Sequence, residues 1–381
     1  MPGFSKAVEN SVQAMSIKYN NLVYDMRRKG VDVIVLSLGE AYFDIPLCPM
    51  DDLPFPDIYH YSHSRGIFEL RQKISEYYQR QFGVRIDPEK ELLVTAGSKA
   101  AIHFSMMSVL DPGDEAITQE PTWVSYPEQI KLCYGRPVQI PYDESIYDFE
   151  KYVTDKTKMI ILNNPHNPRG QVLSKKELQY LMDLALRNDI YLLSDEAYSD
   201  FLVDDQFYSL GLFDQEKSNI IVCNSISKNF GISGWRVGYV FSNPGLIDQI
   251  LKVNQHIVTC PPTILEWYLV KHYDEIIQIT YPQIAAVVNT RKQVARFMDE
   301  IGLSYLPGSA TFYFFVSIAP SKLTSEEFCT RLLMEEHISV VPGLGYGSSC
   351  DAFVRVSVGT APMEKIQYGL RKLLELIQKT S

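Results

Sequence analysis

The 381-residue chain has no CxxC pair, no apolar stretch approaching the roughly 18 residues of a membrane span, and no long run of lysine or arginine. Each absence removes a class of function. Six scattered cysteines, Cys48, Cys133, Cys223, Cys260, Cys329 and Cys350, define neither a disulfide framework nor a zinc site by their spacing, and they read as buried thiols. A formal charge of -10 and a pI near 5.3 leave no electrostatic footprint for nucleic acid or for an acidic membrane surface. The opening MPGFSKAVENSVQ lacks a basic start followed by an apolar core, so no leader is expected and the protein reads as cytoplasmic. Also missing are GxGxxG, GxxxxGK, GxSxG and HExxH. His60 and His63 could share a turn face, but the surroundings are proline-rich and hold no matching carboxylate, so no metal is expected.

What is present is a long α/β pattern. The length exceeds what one hydrophobic core organises, which predicts two lobes with room for a site between them. From about residue 91 to 242, short apolar runs alternate with amphipathic stretches, as in a mostly parallel sheet covered by helices. The runs ELLVTA, EAITQ, PVQIP, KMIILN, IYLLSD, NIIVCN and VGYVFS are the expected strands. Ser174 and Glu177 make a capping box, followed by Leu178, Leu181, Met182 and Ala185 at helical spacing. Residues 274–302 predict a helical connector broken or started near Pro282. After it, TFYFFVSI and FVRVSV read as strands and SEEFCTRLLMEE as a helix, which suggests a smaller α+β lobe that the first forty-five residues join.

Ligands of open parallel sheets sit beyond the carboxyl ends of the strands, so the polar residues following each apolar run are the first candidates. After ELLVTA come Gly97, Ser98 and Lys99; after KMIILN come Asn164, Pro165, His166 and Asn167; after IYLLS come Asp195 and Tyr198; after NIIVCN come Ser225, Ser227 and Lys228. Singly, these are a turn, a helix cap and a surface charge. Together, four successive sheet edges offer an anion cradle, an amide, a carboxylate with a phenol, and an amine, a full set of partners for one cofactor.

The segments SISKNFGISGWRVGY around Lys228, NNPHNPRG from Asn163 and SDEAY from Ser194 resemble those of the class I/II aminotransferases, a family of fold type I pyridoxal 5'-phosphate (PLP) enzymes. The likeness extends over most of the chain, through YSHSRGIFELR from Tyr61, LGEAYFDIP around Gly39 and FVRVSVG around Arg355. It implies a fold type I architecture: a large domain with a mostly parallel seven-stranded sheet, at residues 46–280, and a smaller α+β domain formed by 1–45 and 281–381.

The resemblance also implies roles. Lys228 would hold the PLP aldehyde as a Schiff base and shuttle protons. Asp195 would face the pyridine nitrogen and favour its protonated form. Asn167 and Tyr198 correspond to the residues that hydrogen-bond the ring oxygen, and Trp123 to the aromatic that stacks on the ring. Arg236, Ser225 and the Gly97, Ser98 and Lys99 backbone would take the phosphate. Tyr61 matches a residue that reaches the neighbouring subunit's phosphate, which implies a homodimer with shared sites. Arg355 would grip the substrate α-carboxylate near Gly39. The partners implied are a small amino acid and a keto acid, with no nucleic acid and no membrane.

Three departures from the pattern stand out. Only LCPMDDLPFPDIYH separates Pro46 from Tyr61, with three further prolines, so a helix common in relatives is expected to be missing. Tyr42 stands where many relatives have a smaller residue, which would narrow the substrate pocket. No arginine occurs from Ile250 to Lys271, where dicarboxylate-specific relatives carry one, so strict aspartate specificity loses weight. Ping-pong transamination is the expected reaction. The alternative is a PLP-dependent lyase or synthase acting by β- or γ-elimination, because the scaffold alone does not fix which bond breaks. A non-catalytic PLP-fold regulator needs a recognition module, and the chain begins almost directly with the enzyme pattern, so that reading is set aside.

Overall fold

Packing of the apolar runs decides the architecture. In the computed structural model, which describes residues 2–46, 48–202 and 204–381, all seven expected runs form strands of one sheet. Across the sheet they lie in the order Leu92–Thr95, Gly238–Phe241, Ile220–Ser225, Tyr191–Asp195, Thr157–Asn163, Glu115–Gln119 and Arg136–Ile140. Gly238–Phe241 is antiparallel to both neighbours, while the other pairings are parallel. In Thr157–Asn163, Ile160 and Leu162 enter the hydrophobic core on one face of the sheet, and Met159 and Ile161 enter the core on the other. Helices therefore cover both faces, which explains why these strands read as continuous apolar runs.

The helix Lys175–Arg187 has the expected capping box, with Ser174 Oγ accepting from the Glu177 N–H at 3.3 Å and Glu177 returning the contact to the Ser174 N–H at 2.7 Å. Its Leu178, Leu181, Met182 and Ala185 are buried. A smaller antiparallel sheet joins Val341–Pro342, Phe353–Ser357 and Tyr313–Ser317, and Ile34–Val35 pairs in parallel with Ile338–Ser339.

The expectation of a break at Pro282 fails. One helix of 39 residues, Thr263–Ile301, runs through that proline. Proline removes one helical hydrogen bond and crowds the preceding turn, a cost of about 3 kcal/mol. Packing on both sides offsets it: Tyr273, Ile276 and Ile277 sit in the core of the large sheet, and Ile284, Val288, Val294, Phe297 and Met298 sit in the core of the small one. The segment between Pro46 and Tyr61 has a single helical turn, Asp57–Tyr59, in place of a full helix. Leu47, the first residue of that segment, lies outside the described residues.

Candidate active site

The carboxyl ends of five strands open onto one cavity of about 130 Å3. Ser98, Lys99, Trp123, Asn167, Asp195 and Tyr198 line it from one set of loops, and Ser225, Lys228 and Arg236 from another. Sequence positions from Ser98 to Arg236, just over a third of the chain, thus converge at the place the strand ends predicted.

Lys228 sits on a single helical turn, Ile226–Asn229, whose N-cap Ser225 accepts from the Ser227 N–H at 3.3 Å. Its Nζ donates to the Gly39 carbonyl at 2.5 Å and lies 5.7 Å from the Tyr198 ring centroid. Burial pushes the ammonium down to about 8, with Glu40 and Asp195 opposing the drop and Arg355 and Arg236 adding to it. On that value about a tenth of the side chains are free amine at neutral pH.

Asp195 ends its strand and is buried. Oδ2 accepts from the Tyr126 hydroxyl at 2.7 Å and Oδ1 from the Ala197 N–H at 3.2 Å. Burial pushes its carboxyl up to about 6, and Tyr126, Ala197 and Lys228 hold it from rising further. Glu196, the next residue, points away into the core and accepts from Leu210 N–H at 2.8 Å and Ser209 Oγ at 3.1 Å, a structural arrangement.

Asn167 Nδ2 donates to the Tyr198 hydroxyl at 3.3 Å, and that hydroxyl meets the Tyr313 hydroxyl at 2.9 Å. Arg355 is only 3 % exposed. Its guanidinium donates to the Ser37 carbonyl at 2.6 Å and to Asn167 Oδ1 at 3.4 Å, and lies 4.6 Å from the Tyr313 ring centroid. Its Nε has no partner, and among the described residues no carboxylate pairs with it. A buried cation left this way is costly unless an anion completes it.

At the other end, Ser98 starts the helix Ser98–Val109, and Gly97 precedes it at φ +83. A Cβ at Gly97 would lie 2.4 Å from the Arg236 guanidinium, so only glycine lets the backbone and that cation approach so closely. Arg236 itself has φ +57, a left-handed conformation uncommon outside glycine, and donates to the Ser233 carbonyl at 2.7 Å. Lys99 contributes its side chain as well as its backbone, with Nζ 5.0 Å from the Trp123 ring centroid. Gly39 approaches the same centre: a Cβ there would lie 3.3 Å from the Tyr313 hydroxyl and 3.9 Å from Arg355.

Gly39, Gly97 and Arg355 do not line the cavity themselves but touch Lys228, Arg236 and Asn167, which do, whereas two other candidates lie away from it. Tyr42 is 65 % exposed and Tyr61 is 85 % exposed, and within one chain neither lines it. Conversely, Tyr126, Tyr313 and Glu40 belong to the site's framework and were not singled out from the sequence; Glu40 accepts from the Ser233 hydroxyl beside Arg236. Tyr126 could have been noticed as the last residue of EPTWVSY, but Tyr313 is hidden in a strand of apolar neighbours.

Residues 31–373 match the family model described as aminotransferase class I and II. The chain belongs to that family. This aminotransferase is 32 % identical to the aspartate aminotransferase of Pyrococcus abyssi, over 94 % of this chain and 95 % of that one. It is 30 % identical to aromatic-amino-acid aminotransferase 2 of Thermococcus litoralis over the same shares, 94 % and 95 %. Its fold matches the aspartate aminotransferase from Thermus thermophilus with maleate at a TM-score of 0.90 and 28 % identity, covering 99 % of this chain and 100 % of that one. The chain is therefore a transaminase with the fold type I architecture, and the eliminating alternative gives way. Among the described residues no helix is long and apolar enough to cross a membrane.

Proposed function

We propose that the cavity holds PLP on Lys228 and that the enzyme moves an amino group from an amino acid to a 2-keto acid in two half-reactions. The observation that carries this reading is a buried guanidinium, Arg355, that no carboxylate among the described residues pairs with, beside a lysine whose ammonium is pushed down to about 8. The donor set fits the cofactor: Arg236, Ser98, Ser225 and the N–H groups after Gly97 suit a phosphate dianion, and buried Asp195 suits a protonated ring nitrogen. When bound, PLP supplies an electron sink that stabilises negative charge at the substrate Cα.

The protein's own residues do the rest. Lys228 would hold the cofactor's aldehyde and, as a free amine, would take up the substrate Cα proton. Asn167 and Tyr198 would hydrogen-bond the cofactor's ring oxygen, and Trp123 would stack on its ring. Arg355 fixes the α-carboxylate with its planar fork, which aligns the Cα–H bond toward Lys228. Lys99 lines the same end of the cavity as Arg236, without a carboxylate partner among the described residues, which suits the phosphate dianion rather than the substrate.

The domain division at 46–280, with 1–45 joining 281–381, is supported by the pairing of Ile34–Val35 with Ile338–Ser339. A homodimer is supported by Tyr61, an exposed phenol on a loop held by Ser62 and Ile67 donating to Glu266 and by Thr263 donating to the His60 carbonyl. Such a fixed aromatic suits a contact from outside the chain, and Tyr42 would meet substrate only there. Six free, buried cysteines suit a cytoplasmic enzyme.

The test is a single half-reaction. Holoenzyme given an amino acid and no acceptor is expected to form one equivalent of keto acid per chain and then stop, resuming when a keto acid is added. Continuous release of keto acid and ammonia without acceptor would overturn the reading. In the same assay, Arg355→Lys keeps the charge but loses the fork, and is expected to raise KM for amino acid and keto acid alike by about 10- to 100-fold.

A further inference from the structure

Away from the cavity, Cys48, His272 and Glu275 come together, with one donor atom of each within 4.8 Å of the others. His272 and Glu275 are three residues apart on the helix Thr263–Ile301 and share one of its faces. Cys48 comes from the segment after Pro46 and is buried, its thiol 3.7 Å from the Pro46 carbonyl. The His272 ring is buried and held from both sides: Nε2 lies 3.1 Å from the Pro49 carbonyl oxygen and Nδ1 lies 3.2 Å from a Glu275 carboxylate oxygen. Both neighbours are acceptors, and a neutral imidazole has one N–H to give. With that proton directed at Pro49, the Nδ1 lone pair faces a carboxylate, a contact that either a second ring proton or a metal ion at Nδ1 completes. The Tyr268 ring packs 4.7 Å from the imidazole and fixes its tilt.

We propose that Cys48, His272 and Glu275 form a site for a divalent transition-metal ion, with zinc the best match to a thiolate, imidazole and carboxylate set. Nδ1 is the ligating nitrogen, and the Nε2–H contact to the Pro49 carbonyl is the outer hydrogen bond that orients it. The Cys48 thiol gives its proton to solvent as the sulfur–zinc bond forms, and no oxidation state changes. Glu275 is more than half exposed, which leaves the fourth position for water. The ion ties the irregular segment after Pro46 to the long helix, next to the existing Lys271–Asp52 ion pair, and so fixes one approach to the Tyr61 loop.

The experiment uses full-length protein purified with its cofactor, stripped with a chelator and then dialysed against micromolar zinc chloride, with metal measured by elemental analysis. One zinc per chain is expected. Cys48→Ser is expected to lose it, Cys329→Ser to keep it, and Glu275→Gln, a surface change that leaves the fold alone, to weaken it at least tenfold. Cobalt(II) in place of zinc is expected to give a sulfur-to-metal charge-transfer absorption that Cys48→Ser abolishes. Zinc uptake by the wild type no greater than that of Cys48→Ser overturns the proposal, as does cobalt binding without that absorption. Metal content is measured apart from transamination, so this failure leaves the proposed reaction untouched.

Discussion

Lys228→Ala is expected to reduce transamination by at least about 10^4-fold while leaving the fold intact. The size of the effect follows from the two tasks one amine performs, holding the cofactor and moving the Cα proton, neither of which another cavity residue can take. Asp195 and the tyrosines are neutral or anionic, Arg355 and Arg236 do not deprotonate, and Lys99 is placed against Trp123. The fold should survive because the side chain makes one hydrogen bond, to the Gly39 carbonyl, while the cap of its helical turn belongs to Ser225. Single-turnover keto acid formation measures the loss, and circular dichroism checks the fold. Partial rescue by an added small primary amine is expected, since a free amine can enter the space vacated. Activity within tenfold of wild type would remove Lys228 from the chemistry.

Asp195→Asn is expected to lower kcat by about 10^2- to 10^3-fold with a smaller effect on KM. The substitution preserves shape, and its single oxygen can accept from either Tyr126 or the Ala197 N–H, so what is lost is the negative charge facing the cavity together with one of those two hydrogen bonds. Tyr126→Phe provides the graded version. The Tyr126 hydroxyl at 2.7 Å stabilises the charged carboxylate, so deleting it raises the Asp195 value above about 6. The reaction needs the anion, and activity on the acid side should therefore fall at a higher pH than in the wild type. A hydrogen bond to a charged group is worth about 1.5–3 kcal/mol, which corresponds to a shift of about one pH unit or more. An unchanged acid limb in Tyr126→Phe would show that the ionisation of Asp195 does not govern the rate.

Much of the architecture was legible because its signals are local. The apolar runs, apart from the edge strand Arg136–Ile140, are buried strands, and the Ser174–Glu177 capping box needs only neighbouring residues. The cavity-lining candidates were legible for a topological reason: in a parallel sheet every strand points its carboxyl end to the same edge, so residues following the runs must meet there. The error at Pro282 arose because a local cost was weighed without the two cores that the helix spans. Tyr313 escaped notice because a strand in the small sheet gives its apolar neighbours and its site-facing phenol the same pattern.

The sequence by itself determined the order of strands and helices, the family, and the chemical types gathered at the sheet edge, because periodicity, caps and motif spacing are properties of contiguous residues. Only the tertiary structure decided that Tyr126 holds Asp195, that Arg355 is buried and paired with no carboxylate among the described residues, and that Cys48 meets His272 across the chain. These are contacts between segments distant in sequence, set by how helices and sheets pack, and burial then decides which of the charges they contain must be completed by a ligand.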